Sequence, residues 1–435
     1  MELPLCWLLD SDYSCNYSFL LNSEIFSEWV DCRKREVTSS RSNAFAFPYT
    51  FFRQSAKEVI SELKEIGFTG INLALNYHAS RDFLLRQGPQ LEYLADGFHY
   101  YKPDLTKYES GALLPHEEDH LFDDAMLDSV ISSAQLLDFQ VNAWAVFLHN
   151  SALGKRHPEA TVTNVYGNHF LSELCPSNPA VAGYVRGLSA DLCSRGISSL
   201  LIESLHFHGA RHGEHHERFF MELSPITEFL FSLCFCPSCC DRFAKRGGDP
   251  KVLKVKIISA LKPFLDECDP WLGQPVTQES LANLIGPEIL EYLRTREETV
   301  AFLYRDVTKI ANDLGVTTCL VDQSPLIDSQ KTSPLDLSWL VGIDPQQVIE
   351  HIDFFEPLIY RNTLTDAKSV ARNYSEFAPG KVIGILRPAY PDNDSAENLK
   401  EKIRALRESG ISNIDFYLLD VMRPRDLQWI KNSLK

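Results

Sequence analysis

No stretch of this 435-residue chain approaches the ~20 consecutive apolar residues that a membrane-spanning helix needs, so a helical membrane protein is excluded. Positive charge is in short supply: 42 lysines and arginines stand against 59 acids, for a net charge of -17. A surface of that sign repels phosphate backbones and anionic headgroups, which removes nucleic acid and membranes from the expected partners and favours a neutral small molecule. The sequence "MELPLCWLLDSDYSC" has no Lys or Arg ahead of its apolar residues, and Asp10 and Asp12 interrupt them. A secretory leader is therefore not expected, and a cytoplasmic location is. Tandem repeats beyond a strand-and-helix rhythm and low-complexity tracts are missing, and the histidine-rich segment from His206 to Glu217 lacks the H-E-x-x-H helix signature of zinc proteases. Eleven cysteines, an odd number scattered along a long chain, fit reduced thiols plus one metal site better than a disulfide framework.

What is present is an ordinary enzyme-like composition, 44% hydrophobic, 11% aromatic and 23% charged. Eight apolar runs of strand type recur: "AFAFPYTFF" from Ala44, "GINLALNYH" from Gly70, "FQVNAWAVFLHN" from Phe139, "ISSLLIES" from Ile197, "VTTCLVDQ" from Val316, "IDFFEPLIY" from Ile352, "KVIGILRPAY" from Lys381 and "NIDFYLLD" from Asn413. Helix-period segments such as "SAKEVISELKEIG" and "AENLKEKIRALRESG" lie between them, several closed by a glycine placed as a helix C-cap. Eight repeats of strand then helix predict a closed α/β barrel, a (β/α)8 TIM barrel. An open doubly wound sheet would want a glycine-rich phosphate loop after its first strand, and "FPYTFFRQSAKE" has none. Three regions fall outside the rhythm. Residues 1–43 are expected to form an extension packed on a barrel of residues 44–435, and long insertions are expected after strands two and four, the second spanning 206–287. Both insertions would overhang the pocket that strand C-termini open onto.

Polar groups at those strand ends are the candidate site. Glu203 ends strand four in "LLIES" among apolar and aromatic neighbours, the setting that lifts a carboxyl's pKa enough for general acid work. A glycosidase needs a second carboxylate. Glu356 is preferred because it shares strand parity with Tyr360, with Asp322 close behind. Asn76, His78, His149, Asn150, His206, Tyr360, Arg387 and Asp420 are the expected sugar-binding groups, since hydroxyl-rich ligands call for fixed hydrogen-bonding side chains beside aromatic faces. Asp415 is expected to cap the far end of strand eight. The segment "HFHGARHGEHHE" holds five of the thirteen histidines, His206, His208, His212, His215 and His216, and reads as a polar loop beside the pocket. A metal-dependent isomerase or lyase built on those histidines is a competing reading.

The cysteines are more specific. Cys234, Cys236 and Cys239 in "CFCPSCC" are spaced C-x-C-x2-C, which can converge on a tetrahedral zinc once a fourth ligand arrives, from Cys175 or from Cys240. Four thiolates would leave no open coordination position, so such a zinc would be structural.

The succession "LCPSNPAVAGYV", "LLIESLHF" and "CFCPSCCDRF" resembles the glycoside hydrolase family 42 β-galactosidases and related glycosyl-hydrolase-like barrels, over residues 170–245. The resemblance implies a (β/α)8 barrel, Glu203 as acid/base, zinc on Cys175, Cys234, Cys236 and Cys239, and a small saccharide as substrate in carbohydrate metabolism. Two departures are visible. Ile202 precedes Glu203 where the family has asparagine, and "GILRPAYPDND" supplies only Asp392 and Asp394 where the family places a glutamate nucleophile at the end of strand seven. The expected function is therefore a glycoside hydrolase-like enzyme, with a catalytically altered saccharide-binding barrel as the alternative; the chain is also compatible with a homo-oligomer.

Overall fold

A computed structural model describes residues 40–434, apart from 87, 117–123, 212–217 and 328–331. Eight parallel strands form the barrel: β1 (Asn43–Ala46), β2 (Gly70–Tyr77), β3 (Gln140–Val146), β4 (Ser199–Glu203), β5 (Thr317–Asp322), β6 (Phe354–Pro357), β7 (Ile383–Leu386) and β8 (Asn413–Phe416). Each of the eight predicted apolar runs contains one of them. Neighbours pair in the order β6-β5-β4-β3-β2-β1-β8-β7. The ring closes between β6 and β7, where Phe355 N donates to Lys381 O at 2.8 Å and Ile359 N to Ile385 O at 2.9 Å. Strands covered on both faces must be apolar nearly throughout, and β2, β4 and β7 are buried along their whole length.

The helices between strands carry the caps their sequences promise. Ser55 and Glu58 make a reciprocal capping box at the start of Ala56–Ile66, and Gly67 ends that helix at φ 117°, a left-handed conformation that glycine adopts without steric cost. Similar logic starts Pro179–Cys193 at Asn178, whose side chain accepts from the Ala180 and Val181 amides.

Two connections position the site. After β2 the chain makes an antiparallel hairpin, Ser80–Leu84 with Gln90–Leu94, and Phe98–His99 then pairs back on β2. After β4, residues 206–287 carry the helices Pro225–Ser232, Pro237–Lys245, Pro250–Asp266 and Gln278–Ile285, ahead of the 26-residue helix Glu288–Asp313. The expected packing of residues 1–43 rests almost wholly on residues outside those described.

The barrel interior is layered. Aromatic side chains fill the end where the strands exit. At the opposite end sits a polar network of Arg41, Asn43, Asn72, Asn142, Glu356 and Asp415. Arg41 Nη2 lies 3.4 Å from both Glu356 Oε1 and Asp415 Oδ2, and Asn72 Nδ2 donates to Asp415 Oδ2 at 2.7 Å. Burial pushes the Glu356 carboxyl up to about 8, with Arg41 pulling it down and Asp415 pushing it up further. The sign of the consequence is fixed. A carboxyl raised above its unfolded value of ~4.3 contributes stability fully present below that pH and lost as pH rises through the folded value. Asp420, pushed by burial up to about 7, acts in the same direction. Thermal unfolding between about pH 5 and pH 9 should show stability falling as pH rises. Glu356→Gln, an isostere of the protonated acid, should flatten part of that fall; an unchanged slope would show that Glu356 does not hold its proton.

Candidate active site

Glu203 is the last residue of β4 and only 7% exposed. Parity turns it into the barrel, and both of its oxygens are held: Trp144 Nε1, from β3, donates to Oε2, and Gln323 Nε2, just beyond β5, donates to Oε1 at 2.6 Å. Burial raises its pKa, while a charge on His78 and the two donors pull it down. A cage of rings surrounds it. Trp144 packs edge-on against Tyr77 at 4.8 Å and Phe45 at 5.2 Å, and Tyr417 lies 5.8 Å from Trp144 and 5.9 Å from Tyr360. A buried proton donor against aromatic faces can protonate a leaving oxygen while the rings receive the apolar face of a sugar.

The other expected carboxylates stand elsewhere. Glu356 has the inward parity expected of it, but in the lower layer, where it meets Arg41 instead of Glu203. Asp322 follows the outward parity of its strand: its Oδ2 accepts from Tyr374 OH at 2.6 Å, on an outer helix, and its Oδ1 from Ser324 N at 2.8 Å. Asp392, beyond β7, is clamped by Arg387 through two bonds of 2.6 and 2.7 Å. The structure thus brings neither Glu356 nor Asp322 to Glu203.

The expected sugar-binding residues divide into two groups. His78 stacks between Tyr77 at 4.2 Å and His149 at 4.8 Å, and His206 and His208 continue the row 4.4 Å apart. Burial pushes the His206 imidazole down to about 4, so it is neutral at physiological pH. Tyr360 carries the Arg387 guanidinium over its ring at 4.3 Å. These groups face the barrel mouth. The second group is spent on scaffolding. Asn76 Nδ2 donates to Val146 O at 2.6 Å, tying β2 to β3. Asn150 caps the helix Ser151–Arg156 through Leu153 N, and Asp420 accepts the Phe47 amide at 2.7 Å, fixing the turn after β1. His212, His215 and His216 lie outside the described residues. A cavity of about 190 Å³ next to Gln323, the partner of Glu203, is lined by His206, His208, Asp322, Gln323, Ser324 and Val341, among others.

Sequence reading missed Trp144, Tyr417 and Gln323. The rings sat inside apolar runs where aromatics read as core, and a glutamine after a strand carries no motif.

Cys175, Cys234, Cys236 and Cys239 are buried, with sulfurs all within 4.8 Å of one another. Cys175 Sγ lies 3.5 Å from the sulfurs of Cys236 and Cys239 and 3.7 Å from that of Cys234. Tetrahedral zinc with Zn–S bonds of ~2.3 Å separates its sulfurs by ~3.8 Å, so this donor set could hold such an ion. Thr163 N donates to Cys234 Sγ at 3.3 Å, the outer support expected of a metal ligand. Cys240 points its thiol instead to Phe235 O. The helix Glu288–Asp313 links the cluster to the cavity wall. Its Tyr292 donates to Cys234 O, and one turn on, Arg296 donates to Leu340 O at 3.0 Å, next to the cavity-lining Val341.

The fold and site together define a (β/α)8 barrel with an acid at the exit of its fourth strand. Its structural neighbours are glycoside hydrolases. It is similar to the PgaB (BpsB) glycoside hydrolase domain from Bordetella bronchiseptica, at 14% identity and a TM-score of 0.52 over 91% of this chain and 99% of that one. It is also similar to Gan42B, a GH42 β-galactosidase from G. stearothermophilus (10% identity, TM-score 0.54, 91% of this chain) and to the β-galactosidase of the psychrophilic Marinomonas ef1 (9%, 0.53, 91%). The chain spans only 56% and 59% of those two β-galactosidases. At such identities the likeness is one of fold. No protein-family model matches the sequence, and no curated protein does.

Proposed function

We propose that the protein is a glycosidase acting on a small saccharide or glycoconjugate, with Glu203 protonating the departing glycosidic oxygen. The observation that carries this reading is the placement of Glu203: buried at a strand exit, raised in pKa by that burial, held at both oxygens, and ringed by Trp144, Tyr77, Tyr360 and Tyr417. Such a carboxyl keeps its proton at a higher pH than an ordinary one and faces a surface suited to sugar C–H groups. Zinc on the four cysteines has a structural part here, bracing the insertion after β4 against the helix that reaches the cavity wall.

The test is turnover of a panel of aryl glycosides by the purified protein, followed by release of the phenol. Hydrolysis of at least one glycoside is expected. A second reading, a barrel that binds saccharide without cleaving it, is favoured by the engagement of Glu356 with Arg41 and of Asp322 with Tyr374 and Ser324. Saturable binding of an oligosaccharide with no turnover of any glycoside would select it.

A further inference from the structure

A carboxylate from the hairpin after β2 faces the same cage. Strand alternation puts Ser80, Asp82 and Leu84, with Gln90, Glu92 and Leu94, on one face of this hairpin. That face is turned to the barrel mouth: Leu84 and Leu94 are buried in one cluster with Phe47, Tyr77, Tyr100 and Trp144, and Leu85 N and Arg86 N both donate to Asp420 O. Phe83, Leu91 and Tyr93 point outward and are 54%, 58% and 67% exposed. The hairpin therefore leaves three large apolar residues exposed while two acids share the inward face with Leu84 and Leu94. Asp82 and Glu92 are direct cross-strand partners, an arrangement of like charges that costs stability. Glu92 acts on Tyr49, at the rim. Asp82, whose Oδ2 accepts from Ser80 Oγ at 2.8 Å, reaches further in: its charge and that of Glu203 both act on the hydroxyls of Tyr77 and Tyr417. Asp82 and Glu203 both feel the charge of His78.

Resting on the glycosidase reading above, we propose that Asp82 is the second catalytic carboxylate, the base that activates water on the sugar face opposite Glu203. Asp82 takes a proton from water, the water oxygen bonds to the anomeric carbon as the bond to the leaving oxygen breaks, and Glu203 gives that oxygen its proton. A water held between separated carboxylates inverts the anomeric configuration.

The experiment uses the glycoside that the wild-type protein turns over. Proton NMR of the first-formed product should show inversion. Asp82→Asn should lower kcat ~100-fold or more at similar KM, as loss of a general base does, with a melting temperature no lower than that of the wild type because the like-charge pair with Glu92 is relieved. Azide should restore turnover to Asp82→Ala, forming the inverted glycosyl azide, and Glu92→Gln should stay within about threefold of wild type, far short of a lost general base. Retention of configuration overturns the proposal whatever the variants do. So does an Asp82→Asn enzyme of near wild-type kcat, or a loss in Glu92→Gln as large as in Asp82→Asn. Absence of turnover by the wild-type protein overturns the glycosidase reading and this proposal with it, and is seen before any variant is made.

Discussion

Glu203→Gln will lose ~100- to 10,000-fold in kcat on glycosides with poor leaving groups, the range general acid catalysis supplies. The substitution conserves shape but removes the proton. It also sets an amide N–H₂ against one of the two donors, Trp144 Nε1 or Gln323 Nε2, that now serve the carboxyl oxygens. Saccharide binding should persist, because the rings of Trp144, Tyr360 and Tyr417 remain. In the wild type the proton must be in place for the reaction. Burial raises the Glu203 pKa, so activity should hold as pH rises past the ordinary carboxylate range and fall only as pH passes the raised value. A pH–rate profile of kcat/KM in both proteins checks this. The alkaline limb belongs to the wild type and should vanish in the variant.

The second large effect concerns the four cysteines. Native mass spectrometry should find one zinc per chain, and Cys239→Ser should release it and lower the melting temperature sharply. Structural zinc held by thiolates contributes on the order of 10 kcal/mol of apparent binding free energy, and binding that accompanies folding is folding free energy. The loss should be felt beyond the cluster, because Tyr292 and Arg296 run from Cys234 to the Leu340 carbonyl beside the cavity. Substrate affinity should weaken in the metal-depleted protein more than kcat does. Full titration of the four thiols in the native protein, with a melting temperature indifferent to chelator, would contradict the assignment.

The barrel was legible because its signals are local. Each strand is a short apolar run, and caps such as Ser55 with Glu58 and Gly67 announce where helices begin and stop. Glu203 stood out for the same reason, as an acid closing an apolar run. Glu356 marks the limit. Alternation along a strand tells which face a residue takes, and its inward parity agrees with the structure, but height within the barrel depends on the partner that reaches it. That partner is Arg41, 315 residues away in sequence. Asp322 shows the converse: closing an apolar run, it read as a pocket acid, yet its parity is outward and a tyrosine on an outer helix takes it up. Asn76, Asn150 and Asp420 looked like ligand groups because strand-end polar residues do. The backbone amides and carbonyls they satisfy become visible only when the strands are side by side. Tyr77, Tyr417 and Asp82 lie in different segments that meet only at the mouth of the closed barrel, so no window of sequence contains their relation.

The most direct test of the account is the leaving-group dependence of Glu203→Gln. Aryl glycosides of one sugar, from phenyl to 2,4-dinitrophenyl, would be turned over by wild-type and variant protein side by side. If Glu203 is the general acid, the variant will be crippled on poor leaving groups and nearly normal on dinitrophenyl glycosides, which depart without a proton. An equal loss across the series would mean that Glu203 holds the barrel mouth in shape and gives no proton to the substrate.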